Sequence, residues 1–352
     1  MTRNILFVLM CMLSLNTPAQ NKAERIKQIR EMYAQAQAQV ANNGKDGNAA
    51  KDMTISTHEL VSQEHDVHNE TELSFFFHEK REIDVSDGSF TAHEQPYFII
   101  EKNTQHFHYT YREFLFDANG KLAFAYARWE LDNGSIVEHR YYFDTKGQCI
   151  ETKMNPDTPD YGNGQESLKM ANRYLAIFKS IMEVEEKNPV QSNATPTRSG
   201  SDQIKYIRTQ YATAKDKVAE KLYTFYPYTI SITIHNQEEG DCPPVTDEYN
   251  FYGEKSNNDA SSATECYFLS IHRSLSGFDH YGEFLLDSQT HQLIFNYSRG
   301  AEEGEVREWR YYFDEAGRCI ETKSNAEEVD NGISAQRAIG SYLKTFKLLT
   351  NE

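Results

Sequence analysis

The side chains best able to do chemistry lie in two similar stretches. Glu138, Arg140 and Tyr142 alternate along VEHRYYF, and Glu308, Arg310 and Tyr312 alternate along VREWRYYF. Tyr111 and Glu113 in YREFLFD, with Tyr281 and Glu283 in YGEFLLD, add a phenol and a carboxylate to each set. A spacing of two puts such residues on one face of a strand. A carboxylate beside a guanidinium can serve acid–base work, or can form a fork for a ligand's carboxylate. The same residues also make cross-strand ion pairs on a solvated sheet face, each worth less than about 1 kcal/mol.

Interleaved with the polar set are Val137, His139, Tyr141 and Phe143, matched by Arg307, Trp309, Tyr311 and Phe313. This largely aromatic side is the expected core face. Ala123, Ala125 and Ala127 alternate with Leu122, Phe124 and Tyr126 on a neighbouring strand, where the later stretch has Ile294, Asn296 and Ser298. If the alanines share the side of Glu138 and Arg140, they leave a concave, tyrosine-rimmed hollow of the kind that holds a small ligand.

Other chemistries find less support. His65 with His68, and His106 with His108, could each offer two metal ligands. His108, however, aligns with Phe278 and shares a face with Phe114 and Phe116, which predicts a core-edge ring and no metal site. No G-x-S-x-G elbow, P-loop, G-x-G-x-x-G turn or C-x-x-C pair occurs, so no cofactor is expected. With 53 acidic residues, no pair of carboxylates stands out as catalytic.

The first twenty residues, MTRNILFVLMCMLSLNTPAQ, read as a cleaved signal peptide, with Arg3, an apolar run and small residues before the cut. The run is too short for a bilayer span, and Cys11 follows Met10 within it, unlike a lipidated cysteine. Export to the periplasm or beyond makes disulfides permissible. Cys149 and Cys319 occupy matching positions and read as core thiols, while Cys242 and Cys266 are the candidates for a local bridge. A net charge of −17 opposes nucleic acid and anionic membrane surfaces, so neither nucleic-acid binding nor stable membrane insertion is expected.

The elements that must position these residues are written twice. HRYYFDTKGQCIETK (139–153) returns as WRYYFDEAGRCIETK (309–323). Residues 25–33 match 203–211, TELSFFFHEK (71–80) matches TDEYNFYGEK (246–255), and 173–179 match 341–347, all in one order. Each copy opens with a helix: Ile26, Ile29, Tyr33 and Val40 recur at helical spacing, as do Ile204, Ile207 and Tyr211. Alternating strands follow, punctuated by Asp-x-x-Gly turns at Asp117, Asp144 and Asp314. KLYTFYPYTISITI (221–234) reads as the first strand of the second sheet, and on an open edge its tyrosines would favour protein contacts. A closing helix carries Leu168, Ala171, Leu175 and Phe178, or Ile339, Leu343 and Phe346.

These patterns predict an α+β protein of two tandem homologous domains, residues 21–184 and 202–352, joined by a polar linker over 185–201. Each would comprise a helix, an antiparallel meander of about five to seven strands and a second helix. The expected function is binding or interaction outside the cytoplasm, with an unknown protein or small ligand as partner and without evident catalysis. The alternative is a small-molecule or peptide pocket on the concave polar face, with hydrolysis at Glu113, Glu138 and Arg140.

Overall fold

The computed structural model describes residues 18–45, 51–62, 67–83, 90–105, 108–131, 133–155, 164–182, 198–219, 228–236, 245–255, 264–275, 278–302, 305–326 and 329–350. The fold is α+β, and the described residues form fourteen antiparallel strands in a single sheet and four helices. Helix α1 (Pro18–Asn42) precedes β1 (Lys51–Ser62), β2 (Val67–Ile83), β3 (Phe90–Gln105), β4 (His108–Phe116), β5 (Leu122–Glu130), β6 (Ile136–Phe143) and β7 (Cys149–Asn155). Helix α2 (Gln165–Met182) follows, then α3 (Gly200–Ala219). The order then repeats with β8 (Tyr228–Asn236), β9 (Val245–Lys255), β10 (Thr264–Leu275), β11 (Phe278–Leu286), β12 (Leu293–Glu302), β13 (Glu305–Phe313), β14 (Cys319–Ser324) and α4 (Ile333–Thr350).

The two expected meanders run together, because β1 pairs antiparallel with β8. At the centre Ile55 lies opposite Ile232. Ile55 also faces Leu73 on β2, just as Ile232 faces Tyr249 on β9, so the join places like positions against each other. On the side where these isoleucines point, α2 and α4 pack together through a Ser180–Thr345 hydroxyl bond of 3.0 Å and the Arg173 guanidinium on the Leu348 carbonyl. This is the seam face. Its core is continuous across the join, with Met53, Ile55, Phe75, Ile230, Ile232 and Phe251 beneath Phe178 and Phe346. Phe75 meets Phe178 at 5.7 Å, and Phe251 meets Phe346 at 5.8 Å.

That second pair corrects the alignment of residues 71–80 with 246–255. Phe75 corresponds to Phe251, one position away from the match read in the sequence, since Phe76 lies opposite Phe98 and Tyr252 opposite Phe268. A slip of one residue matters because it reverses the face on which every side chain sits.

The opposite face carries α1 over the first half and α3 over the second. Ile26, Ile29 and Ala36 pack on Phe98, Leu115, Phe124 and Tyr142, and Ile207 and Ala214 pack on Phe268, Leu285, Phe295 and Tyr312. Both faces of each half are therefore buried near the hairpin turns, and bulges make this possible. One interrupts each of the Phe76/Phe77, Leu115/Phe116 and Tyr142/Phe143 steps, and the later half has bulges at Cys266/Phe268, Leu285/Leu286 and Tyr312/Phe313. The extra residue shifts the alternation. Leu122 thus joins the seam core while both Ala123 and Phe124 face α1.

The repeated RYYFD phrase supplies every layer. Tyr141 enters the seam core, Tyr142 lies under α1, Phe143 is fully buried in the seam core, and Asp144 forms the turn. The Asp144 carboxylate accepts the Lys146 and Gln148 amides, as Asp314 accepts those of Ala316 and Arg318. The end of the expected linker belongs to the fold: Ser199 and Asp202 cap α3, and Arg198 pairs with Glu315 at 2.7 Å. Residues 183–197, 221–227 and the signal-like 1–17 lie outside the described residues. β8 is a central strand, paired on both sides, so the edge reading of 221–234 does not hold for its described part.

Two backbone positions have testable consequences. Gly332, at φ 75° before α4, leaves a Cβ only 2.6 Å from the Phe313 ring, so Gly332→Ala should destabilise the protein by about 3 kcal/mol in denaturant melts. His291 adopts φ 54° in a turn where Asp117-Ala-Asn-Gly120 and its relatives use glycine. His291→Gly should raise stability by about 1 kcal/mol, measured in the same way.

Candidate functional site

The sequence-predicted residues all fall on the face that carries α1 and α3. Each helix sends a tyrosine onto a buried carboxylate of its half. Tyr33 donates to Glu113 Oε2, and Tyr111 donates to Oε1 of the same carboxylate at 2.6 Å. In the second half Tyr211 donates to Glu283 Oε2, while Tyr281 and Lys215 reach Oε1 at 2.5 Å each. Gln37, where the second half has Lys215, instead bonds the Tyr33 hydroxyl at 2.8 Å. Glu113 and Glu283 are 6% and 1% exposed. Both oxygens of each are engaged by donors and the groups are buried, so neither carboxylate is open to solvent in the way a general base must be.

Farther along the same face, Tyr126 donates to Glu138 Oε1 at 2.7 Å and Arg140 donates to Oε2 at 2.9 Å. The Arg140 guanidinium lies 5.4 Å from the Tyr126 ring centroid. Tyr297, Glu308 and Arg310 repeat the arrangement at 3.0 Å, 3.0 Å and 5.2 Å. The Tyr126 bond, together with Arg140, holds the Glu138 carboxyl below its ordinary range. A residue held as an anion and already doubly bonded is poorly suited to donate a proton. Tyr142 and Tyr312 are not rim residues, since each is 5% exposed beneath its helix. Of these ten side chains, Glu113, Tyr142, Glu283 and Tyr312 hold helices to the sheet, while the Glu138–Arg140 and Glu308–Arg310 pairs tie neighbouring strands together on the same face.

The predicted hollow is absent from this place. Ala125 and Ala127 lie opposite Tyr141 and His139 on the seam face, away from Glu138 and Arg140. The polar faces of the two halves do share one side of one sheet. Between the helices runs a hydroxyl-rich strip in which Thr54 pairs with Thr233 and exposed Ser56 with exposed Ser231.

A concavity does exist on the seam face of the first half. A cleft of about 610 Å³ opens between α2, the β2–β3 arm and the β4–β5 turn. Pro96, Leu175, Phe178 and Met182 line it together with Glu94 and Asn119. Lys51 pairs with Glu94 at 3.3 Å, and Gln95 bonds the Asp117 carbonyl at 3.4 Å. Thr264 and Cys266 stand where the first half has Glu94 and Pro96, as their bulge register shows.

Two ion pairs on buried carboxylates escaped the sequence reading. Arg112 meets Glu101 at 2.9 Å with Glu101 2% exposed, and Arg273 grips Asp247 through two bonds of 2.7 Å. Their only signal was a charge at an apolar-phase position, such as Arg112 two residues before Phe114. His108 is exposed and so is not the core-edge ring expected. Among the described residues no three His, Cys, Asp or Glu side chains gather around a metal site; the side chains of His65, His68 and His106 lie outside them. Cys242, proposed to pair with Cys266, also lies outside them, and Cys266 is buried with its thiol on the Phe268 carbonyl. Cys149 and Cys319 are half-buried at matching positions, each with its sulfur near a threonine hydroxyl, Thr152 or Thr322. No described helix is long and apolar enough to cross a membrane.

Compared with models of known protein families, with curated proteins and with solved structures, the chain matches none.

Burial, reinforced by the bond to Glu113 or Glu283, pushes the hydroxyls of Tyr33, Tyr111, Tyr211 and Tyr281 well above the ordinary value of 10.0. Burial and the bond to Glu138 push Tyr126 up to about 12. Below pH 10 folded and unfolded phenols are all protonated, and their stabilisation is complete. Above it the unfolded chain ionises while the folded phenols keep their protons, so stability falls as pH rises through the folded values. Melting temperature should therefore hold steady from pH 7 to about 9.5 and drop steeply beyond 10. Tyr33→Phe should cost about 1–3 kcal/mol at pH 7 by leaving Glu113 a donor short, and should make the alkaline loss shallower.

Proposed function

We propose that the chain is an exported, non-catalytic binding protein of two homologous repeats, and that a small amphipathic ligand occupies the cleft of the first repeat. The cleft carries this reading. Its volume lies within the roughly 300–1,000 Å³ of small-molecule sites, and Pro96, Leu175, Phe178 and Met182 give it apolar lining alongside the polar and charged Glu79, His93, Glu94, Gln95, Asn119 and Lys179, the mixed lining an amphipathic ligand needs. The buried, already bonded carboxylates of the Tyr–Glu sets speak for binding rather than hydrolysis. The signal-like N-terminus supports export, and the recurring register supports duplication. A second reading, a protein partner on the polar strip, is favoured by the exposure of Ser56 and Ser231 at the join.

N-phenyl-1-naphthylamine, a neutral amphiphile that brightens in apolar surroundings, tests the proposal. Its fluorescence should rise saturably with one site per chain. Asn119→Trp, which fills the cleft mouth from an exposed turn, should weaken binding at least about tenfold without lowering the melting temperature. Binding that ignores Asn119→Trp, or no saturable binding, would sink the cleft reading.

A further inference from the structure

The two tryptophans of the chain sit at equivalent corners of the two halves, yet they reach them from different strands. Trp129, on β5, lies opposite Thr110 and beside His139 of β6, whose ring meets the indole edge-on at 4.7 Å. In the second half Gly300 takes the place of Trp129, and Trp309 takes that of His139. A Cβ at Gly300 would stand 3.8 Å from the Trp309 indole. The second-half corner is thus closed over by its own tryptophan. In the first half the indole borders an open groove of about 400 Å³ lined by His108, Thr110, Trp129, Glu130, Leu131 and Asn133.

We propose that this groove is a binding site for a neutral saccharide. Trp129 supplies an indole to the lining, the kind of side chain on which the C–H face of a sugar ring stacks. Around it stand an imidazole, a hydroxyl, a carboxylate and a carboxamide, which together donate to and accept from adjacent ring hydroxyls. Glu130, Leu131, Asn133 and His108 are exposed and Trp129 is half-buried, so the site is reachable from solvent. Other ligand classes fit less well. β4 and β5 are each paired on both sides, leaving no strand edge for a peptide to extend. A chain of net charge −17, with Glu130 in the groove, repels phosphates and acidic sugars. A lipid tail needs an apolar tunnel, and this groove is shallow and polar-rimmed. The site is separate from the cleft beside α2, so either can fail alone.

The test is isothermal titration of the full mature chain with cellotetraose, maltotetraose and chitotetraose, with tetragalacturonate as the anionic counterpart. At least one neutral tetramer should bind with one site per chain, and tetragalacturonate should bind at least about tenfold more weakly. Trp129→Ala should weaken the neutral sugar at least about tenfold, whereas Trp309→Phe and the cleft variant Asn119→Trp should leave it within about twofold. Should Trp129→Ala lower the melting temperature, the double variant Thr110→Val, Asn133→Ala replaces it, with the same loss expected. Absence of binding by all three neutral tetramers, preference for the acidic one, or full affinity in the groove variants would overturn the proposal.

Discussion

The antiparallel pairing of β1 with β8 is the constraint on which the rest of the molecule depends. Without it each half would expose a strand whose residues alternate between hydroxyls and buried isoleucine or methionine, an invitation to pair with other chains. With it, Met53, Ile55, Ile230 and Ile232 form a floor that no single half could complete, and α2 and α4 meet above that floor. The outer strands are protected in another way. β7 and β14 are short and carry Glu151 with Lys153, and Glu321 with Lys323, in charged pairs on the edge. One kind of edge joins and the other kind stops, so the sheet ends at fourteen strands.

Helix attachment on the other face uses phenol–carboxylate bonds, Tyr33 to Glu113, Tyr211 to Glu283 and Tyr206 to Asp287, alongside ion pairs such as Arg25–Asp117 and Lys215–Glu283. A buried carboxylate needs its lone pairs satisfied, and tyrosine can do so while burying its ring. Tyr33 lies 4.9 Å from the Phe124 ring and Tyr211 lies 4.6 Å from Phe295 while their hydroxyls reach Glu113 and Glu283. One side chain therefore serves both packing and polar satisfaction. This explains how residues that resemble acid–base machinery in sequence become structural. Open surfaces lie elsewhere, in the cleft beside α2 and the tryptophan corner, where the two halves differ.

Much of the fold was legible because it rests on local rules. The helical stripe Ile26, Ile29, Tyr33, the Asp-x-x-Gly turns and the period of two in VEHRYYF each depend on neighbours within a few residues. The faces of Val137, Tyr141 and Phe143 against Glu138 and Arg140 follow from that period. The bulges were not legible. Nothing near Leu122 announces that it parts from Phe124, because a bulge is a property of two strands in register, and the partner Leu115/Phe116 step is read only across the sheet. Reading 71–80 one residue out of step with 246–255 was the same failure.

The sequence by itself determined an acidic chain, its helices, its strand-and-turn grammar and the residues that would share a face. Only the tertiary structure decided that the two meanders are one sheet, that a helix tyrosine covers each of Glu113 and Glu283, and that Ala125 and Ala127 face away from Glu138. The reason is distance along the chain. Alternation states that two sides exist, but which side receives a helix is settled by Tyr33 finding Glu113 eighty residues away. Whether an edge stays free is settled by Ile55 finding Ile232 across the join.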